Sequence, residues 1–180
     1  MSIQTTHVGS LPRPDDMLTK TTRKQKSPTS DHRNNVSDVL EKQVALGISH
    51  VNNGELPRQD YVHSTVSRIS GFYDTGTAPI PKYLEELPDY SRRFNNRNGL
   101  ITLNPKARVT LPACSQKLSY TGETSLREEL DMMVSCFQEI KKKYPDSESE
   151  LFFTAPSPGT VALFMEDKFF YDYDEYLQNI

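Results

Sequence analysis

Short apolar β-type runs alternate along this chain with amphipathic helical stretches, and the runs lead into turns bearing glycine or proline. Such alternation calls for a parallel sheet, because parallel neighbours can be joined only by a connection long enough to cross back over the sheet. The strands are read at Thr5–Gly9, Ile48–Asn52, Arg108–Ala113 and Leu151–Thr154. The expected fold class is therefore α/β, of the (β/α)8 TIM-barrel type, with about the first four βα units present. A whole barrel typically takes ~250 residues, whereas this chain has 180. One partial barrel over 1–180 is expected, with two open strand edges and an uncovered inner face.

The helices are read from periodicity and end signals. Val36, Val39, Leu40, Gln43 and Val44 recur at helical spacing, and Gly47 supplies a stop. Asp60 is placed to cap a second helix whose apolar face holds Val62, Val66 and Ile69, ending near Gly71. In the third, Ser125 and Glu128 form a capping box ahead of a stripe of Leu126, Leu130, Met133, Val134, Phe137 and Ile140. Lys141, Lys142 and Lys143 suit the negative end of that helix dipole, and Pro145 closes it. Asp172 and Glu175 repeat the capping pattern. Two stretches carry no such pattern: a polar loop at about 19–34, and a long loop at about 73–100 rich in Pro, Gly, Asn and Tyr. A loop as long as the second is uncommon inside a compact domain and tends to be functional.

Composition narrows the partners. Hydrophobic residues make up 35%, against roughly 45–50% in soluble domains counted with glycine; long polar loops, or a core closed by something further, would account for this. The net charge of -3 gives no field that favours nucleic acid or an anionic membrane. Arg23, Lys24 and Lys26 read as a solvated loop. No apolar run reaches the ~20 residues that span a bilayer, and Met1–Thr6 lacks the parts of a signal peptide. A cytoplasmic address is expected, and Cys114 and Cys136 fit free thiols in a reducing compartment. Neither a phosphate-binding loop nor a nucleophile elbow occurs.

In a parallel α/β sheet, ligands meet the turns that follow the carboxyl ends of the strands. Val8-Gly9-Ser10, Asn53-Gly54-Glu55 and Ala155–Thr160 fall there. Gly9 permits close approach to the backbone, and the Ser10 hydroxyl and amide can hold a carboxylate; equally, this is a tight turn with a serine bonded to its own backbone. Glu55 can bind an ammonium group or act as an acid or base, or it can pair structurally with Arg58 or Arg13. His7 reads as a hydrogen-bonded wall residue, while His32, His50 and His63 have no partner at metal-ligand spacing. Cys136 reads as packing and Cys114 as a residue lining the space after its strand. The aromatics Phe169, Phe170, Tyr171, Tyr173 and Tyr176 read as core or interface rather than a stacking platform.

Three segments together resemble a known family. Thr5-Thr6-His7-Val8-Gly9-Ser10-Leu11-Pro12-Arg13-Pro14 is similar to the opening of the catalytic barrel of cobalamin-independent methionine synthases. The stretch from Gln43 through Gly47, Ile48, Val51 and Asn53-Gly54-Glu55 to Arg58 and Asp60 is similar to the family's second strand and its Gly-Glu turn. Thr154-Ala155-Pro156-Ser157-Pro158-Gly159-Thr160 resembles its fourth-strand turn, and the matches occur in the family's order along almost the whole chain.

The resemblance implies a homocysteine S-methyltransferase that uses methylated, polyglutamylated tetrahydrofolate as co-substrate, with zinc holding the homocysteine sulfur as thiolate. It assigns Val8, Gly9, Ser10 and Glu55 to the amino-acid end of homocysteine. It assigns no catalytic or metal-binding residue here, because the family's His-x-Cys pair, glutamate and further cysteine belong to the second half of its barrel, and no His-x-Cys occurs in this chain. Asn53 also stands where relatives often carry aspartate. The same departures allow a non-catalytic half-barrel that pairs with a complementary half or with itself. A barrel of the uroporphyrinogen decarboxylase type, which needs no zinc, is a further alternative that the Gly-Glu-x-x-Arg segment fits less well.

Overall fold

The computed structural model describes residues 3–14, 32–58, 61–77, 89 and 110–180. They form two units, one from Met1–Arg68 with Tyr120–Ala155 and the other from Ile69–Ser119 with Pro156–Ile180.

The first unit contains helix α1 (Arg33–Ala45), strand β1 (His50–Val51), the single-turn helix α2 (His63–Val66), the long helix α3 (Glu123–Lys143) and strand β6 (Glu150–Leu151). Thr6 bridges His50 in parallel, and β1 pairs in parallel with β6 in the register His50↔Glu150, Val51↔Leu151. Three segments therefore lie side by side in the order Thr6, β1, β6, with α1 preceding the second and α3 the third. The core lies between these helices and the strands: Val36, Leu40 and Val44 of α1, Met133, Cys136 and Ile140 of α3, and Val51 of β1. Burying a side chain of this size contributes about 1.5–3 kcal/mol.

Local chemistry explains where these elements stop. Gly47, at φ +73°, ends α1, its N–H reaching the Val44 carbonyl (3.0 Å) while Ile48 N–H reaches that of Gln43 (3.1 Å). Gln43 is buried and does a strand neighbour's work: its amide nitrogen donates to Asn52 O (2.7 Å) and its amide oxygen accepts from Asn52 N (3.2 Å). Helix α3 starts at Gly122 rather than at a Ser125 cap, and Ser125 donates its hydroxyl back to the Gly122 carbonyl (3.1 Å). A Cβ at residue 122 would meet Arg68 Cβ at 2.1 Å, so the arginine stem occupies the space of a side chain there. The buried line of α3 is Glu129, Met133, Cys136 and Ile140, while Val134 is 42% exposed. The expected stripe is thus rotated, and a glutamate takes a place in it.

The second unit holds β2 (Ile69–Ser70), β3 (Asp74–Thr77), β4 (Thr110–Ala113), helix α4 (Pro158–Phe164) and helix α5 (Tyr173–Asn179); the two-residue strand β5 (Ser119–Tyr120) lies at its sequence boundary. Here two expectations are corrected. The third expected strand pairs antiparallel with β3, from Asp74↔Ala113 to Thr77↔Thr110, and so is not a member of the parallel set. Its partner comes from the stretch read as a loop over about 73–100. Asp-Thr-Gly-Thr has no apolar alternation; the ladder makes it a strand, with Gly76 packed so close that a Cβ would meet Ala113 Cβ at 3.0 Å. Cys114, Leu118 and Tyr176 form this unit's core, with Ile69, Phe72, Ala162, Phe170 and Ile180 against it.

Cys114 is therefore a wholly buried packing residue, not a lining one. Burial, helped by the charge of Asp167, pushes its thiol up to about 11. The aromatic group divides: Tyr176 is buried and donates to Met165 O (2.9 Å), whereas Phe169, Tyr171 and Tyr173 are exposed. Asp172 caps α5 as expected, accepting from Glu175 N (2.8 Å). Helix α4 is unanticipated, although Ser157 with Pro158 at the first helical position is a start signal, and the serine oxygen accepts from Thr160 N (3.2 Å).

The expected second helix shrinks to one turn, because Ile69 leaves it for β2. Its proposed cap, Asp60, lies outside the described residues, as do the basic cluster and most of the polar loop; Arg33 and Asn34, at that loop's end, already belong to α1. No helix among the described residues is long and apolar enough to cross a membrane.

Candidate functional site

The turn after β1 is built by its own side chains. Asn52 Oδ1 accepts from Gly54 N (2.8 Å) and Asn53 Oδ1 from Glu55 N (3.0 Å), two successive Asx turns. They carry Gly54 and Glu55 into the left-handed region at φ 62° and 57°. Gly54 is further constrained by Leu11, whose N–H donates to the Gly54 carbonyl (2.9 Å) and whose Cδ1 would lie 2.8 Å from a Cβ there. The Asn53 that departs from the family pattern is thus integral to this turn.

Leu11 brings the turn after the first segment beside the one after β1. Asn52 Nδ2 donates to the His7 carbonyl (2.6 Å), and the His7 ring lies 3.0 Å from Gly9 O through Nε2, so His7 is the hydrogen-bonded wall residue expected. Gly9 sits at φ +106° with nothing within 4 Å of the place a Cβ would take, so glycine serves the backbone angle there rather than a close packing. Val8 is exposed. Ser10 Oγ donates to Glu55 Oε2 at 2.6 Å, joining the two motifs that sequence singled out.

Glu55 is 4% exposed. Arg13 donates to the main-chain carbonyls of Leu56 (3.3 Å), Glu55 (3.3 Å) and Arg58, clamping the turn from outside. Arg58 turns to Glu129, its Nε 3.2 Å from Oε1, and stacks over Phe153 at 4.3 Å. Its Nη1 donates to Thr154 Oγ1 (3.0 Å), and Thr154 donates in turn to Glu55 Oε1 (3.4 Å). Arg68 Nη2 meets Glu129 Oε2 at 2.5 Å, and Asn53 Nδ2 donates to Oε1 at 3.1 Å.

The arrangement presents a carboxylate oriented at both oxygens by hydroxyl donors, next to an exposed serine and a glycine turn. With its proton committed to Glu55, the Ser10 oxygen offers lone pairs, so it suits a donor such as an ammonium group; a carboxylate would have to take main-chain N–H groups. Sequence reasoning missed Glu129, Arg68 and the role of Thr154. The signal for Glu129 was present: a charge at the register 129, 133, 136, 140 of an otherwise apolar line.

Zinc, which the resemblance implies, finds no matching donor set among the described residues. Among the described residues no three His, Cys, Asp or Glu side chains come together to hold a metal ion. Both thiols are buried, and burial raises Cys136 as it does Cys114, against the opposing charge of Arg33.

No family model matches the sequence, and no curated protein matches it. Among solved structures, the chain is similar to a B12-independent methionine synthase from Shewanella sp. W3-18-1 in complex with selenomethionine. The TM-score is 0.53 at 15% identity, over 97% of this chain and 44% of that one. The chain thus spans less than half the length of that enzyme, and what the likeness carries is a methionine-synthase-like fold.

Proposed function

We propose that this chain is part of a methionine-synthase-like TIM barrel, and that its Ser10–Glu55 turn binds the amino-acid end of homocysteine. The observation that carries this reading is the 2.6 Å bond from Ser10 Oγ to Glu55 Oε2, which unites two motifs 45 residues apart. The Glu55 carboxylate and the Ser10 oxygen receive the ammonium group, and main-chain N–H groups of the Val8-Gly9-Ser10 turn receive the carboxylate. In the complete enzyme, the reaction would move a methyl group from methylated, polyglutamylated tetrahydrofolate to homocysteine, with zinc ligands supplied by other residues. A cytoplasmic address goes with that role.

Calorimetric titration of the chain with L-homocysteine tests it. Saturable binding, weakened about tenfold by Glu55→Gln through loss of a charge-assisted bond, is expected. Ser10→Ala should weaken it in the same direction, and no saturable binding at millimolar homocysteine would overturn the reading. In a complete enzyme, Glu55→Gln should weaken homocysteine more than folate.

Among the described residues no further strand pairs with the outer edges of Thr6 and β6, which favours a second reading, a non-catalytic half-barrel whose strand edges are covered by a complementary half or a second copy. Sedimentation of a monomer that unfolds cooperatively would count against the pairing.

A further inference from the structure

Behind Glu55 lies a buried group of charges that direct substrate contact does not use. Glu129, 1% exposed in α3, receives Arg58 and Asn53 at Oε1 and Arg68 at Oε2. Burying such a cluster is costly, and well-packed apolar residues often replace one without loss of stability, so packing alone gives no reason for it. One arm leads onward, from Arg58 Nη1 to Thr154 Oγ1 and from Thr154 to Glu55 Oε1. A guanidinium can only donate, so Thr154 accepts from Arg58 and its single hydroxyl proton turns to Glu55. We propose that Glu129 is a positioning residue for Glu55, acting through Arg58 and Thr154, and that this relay sets selectivity for a ligand bearing an ammonium group.

The selectivity part rests on the homocysteine reading; the positioning part is measurable without any ligand. With glutamate labelled by 13C at its carboxylate carbon, the Glu55 signal of the full chain is assigned through its loss in Glu55→Gln. Thr154→Val cuts the relay at constant volume, and Thr154→Ser restores the hydroxyl. Glu129→Asp keeps the charge but shortens the reach, and Arg58→Lys breaks the same joint if Glu129→Asp fails to fold. The Glu55 signal is expected to move in Thr154→Val, in Glu129→Asp and in Arg58→Lys, and to stay in Thr154→Ser. A signal that stays in the folded Glu129 or Arg58 variant while moving in Thr154→Val overturns the role of Glu129, and one unmoved throughout overturns the relay.

For ligands, Thr154→Val should weaken L-homocysteine about tenfold and 4-sulfanylbutanoate, which lacks the amino group, less than about twofold. Equal loss of both would make Thr154 merely structural and overturn the selectivity. A chain that binds neither ligand, yet shows the expected movements of the Glu55 signal, sinks the homocysteine reading and upholds the positioning of Glu55.

Discussion

Glu55 adopts a backbone conformation that costs a residue bearing a Cβ about 1–2 kcal/mol. Its φ of 57° is held by the Asn53 side chain, the Arg13 clamp and the bonds to its own carboxylate. The left-handed turn places the carboxylate against Ser10. Gly54, just before it, has less freedom still, because both its angle and Leu11 exclude a side chain. Gly54→Ala is expected to destabilise the chain by more than about 1 kcal/mol, read as a lower urea midpoint at unchanged slope. A midpoint equal to that of the parent would show that Leu11 moves aside and that the angle is not enforced. The existence of this turn was legible from Asn-Gly-Glu, but its partners were not: Arg58 stands three residues from Glu55, yet it pairs with Glu129, 71 positions away.

Helix ends and strand pairing belong to the next scale. Ser125 was readable as a cap from its spacing to Glu128, but the helix begins earlier, where Arg68 crosses Gly122. Ser125→Ala should therefore leave the helix start intact and lose the long bond from Arg68 Nε (3.3 Å), costing about 0.5 kcal/mol, while Asp172→Ala, which removes the α5 cap bond, should cost about 1 kcal/mol. Chemical denaturation of both variants checks the pair, and the reverse order would restore the Ser125 cap. The β3–β4 unit also carries a pH dependence. Cys114 ordinarily titrates near 9.0 and is raised to about 11 in the fold, so the native state holds its proton more tightly than the unfolded chain. Its contribution is complete below the unfolded value and is lost as pH rises through the folded one. Tyr176, raised in the same direction by burial, adds to the loss at the alkaline end. The urea midpoint should fall between pH 9.0 and about 11, and fall less in Cys114→Ala; equal slopes would exclude the thiol.

At the scale of the molecule, the methionine-synthase-like fold gives the three parallel segments a context that their own short ladders do not supply. Ligand linkage offers a test there. Homocysteine at 100 times its Kd should add about 2.7 kcal/mol to unfolding free energy, whereas a porphyrin should add nothing. A porphyrin-dependent rise without one from homocysteine would favour the decarboxylase-type alternative.

Periodicity alone determined α1 and most of α3, because their apolar spacing and end signals are local properties of the chain. The Gly-Glu turn and the Ser10 turn were likewise marked by residues whose backbone preferences act over a few positions. Only the tertiary structure decided that the strand at Thr110–Ala113 pairs antiparallel with Asp74–Thr77, since an extended run can pair in either sense until a partner is present. It also decided that a glutamate lies in the buried line of α3. The periodicity marks a face, but only the two arginines brought to Glu129 from Arg58 and Arg68 make a charge on that face tolerable.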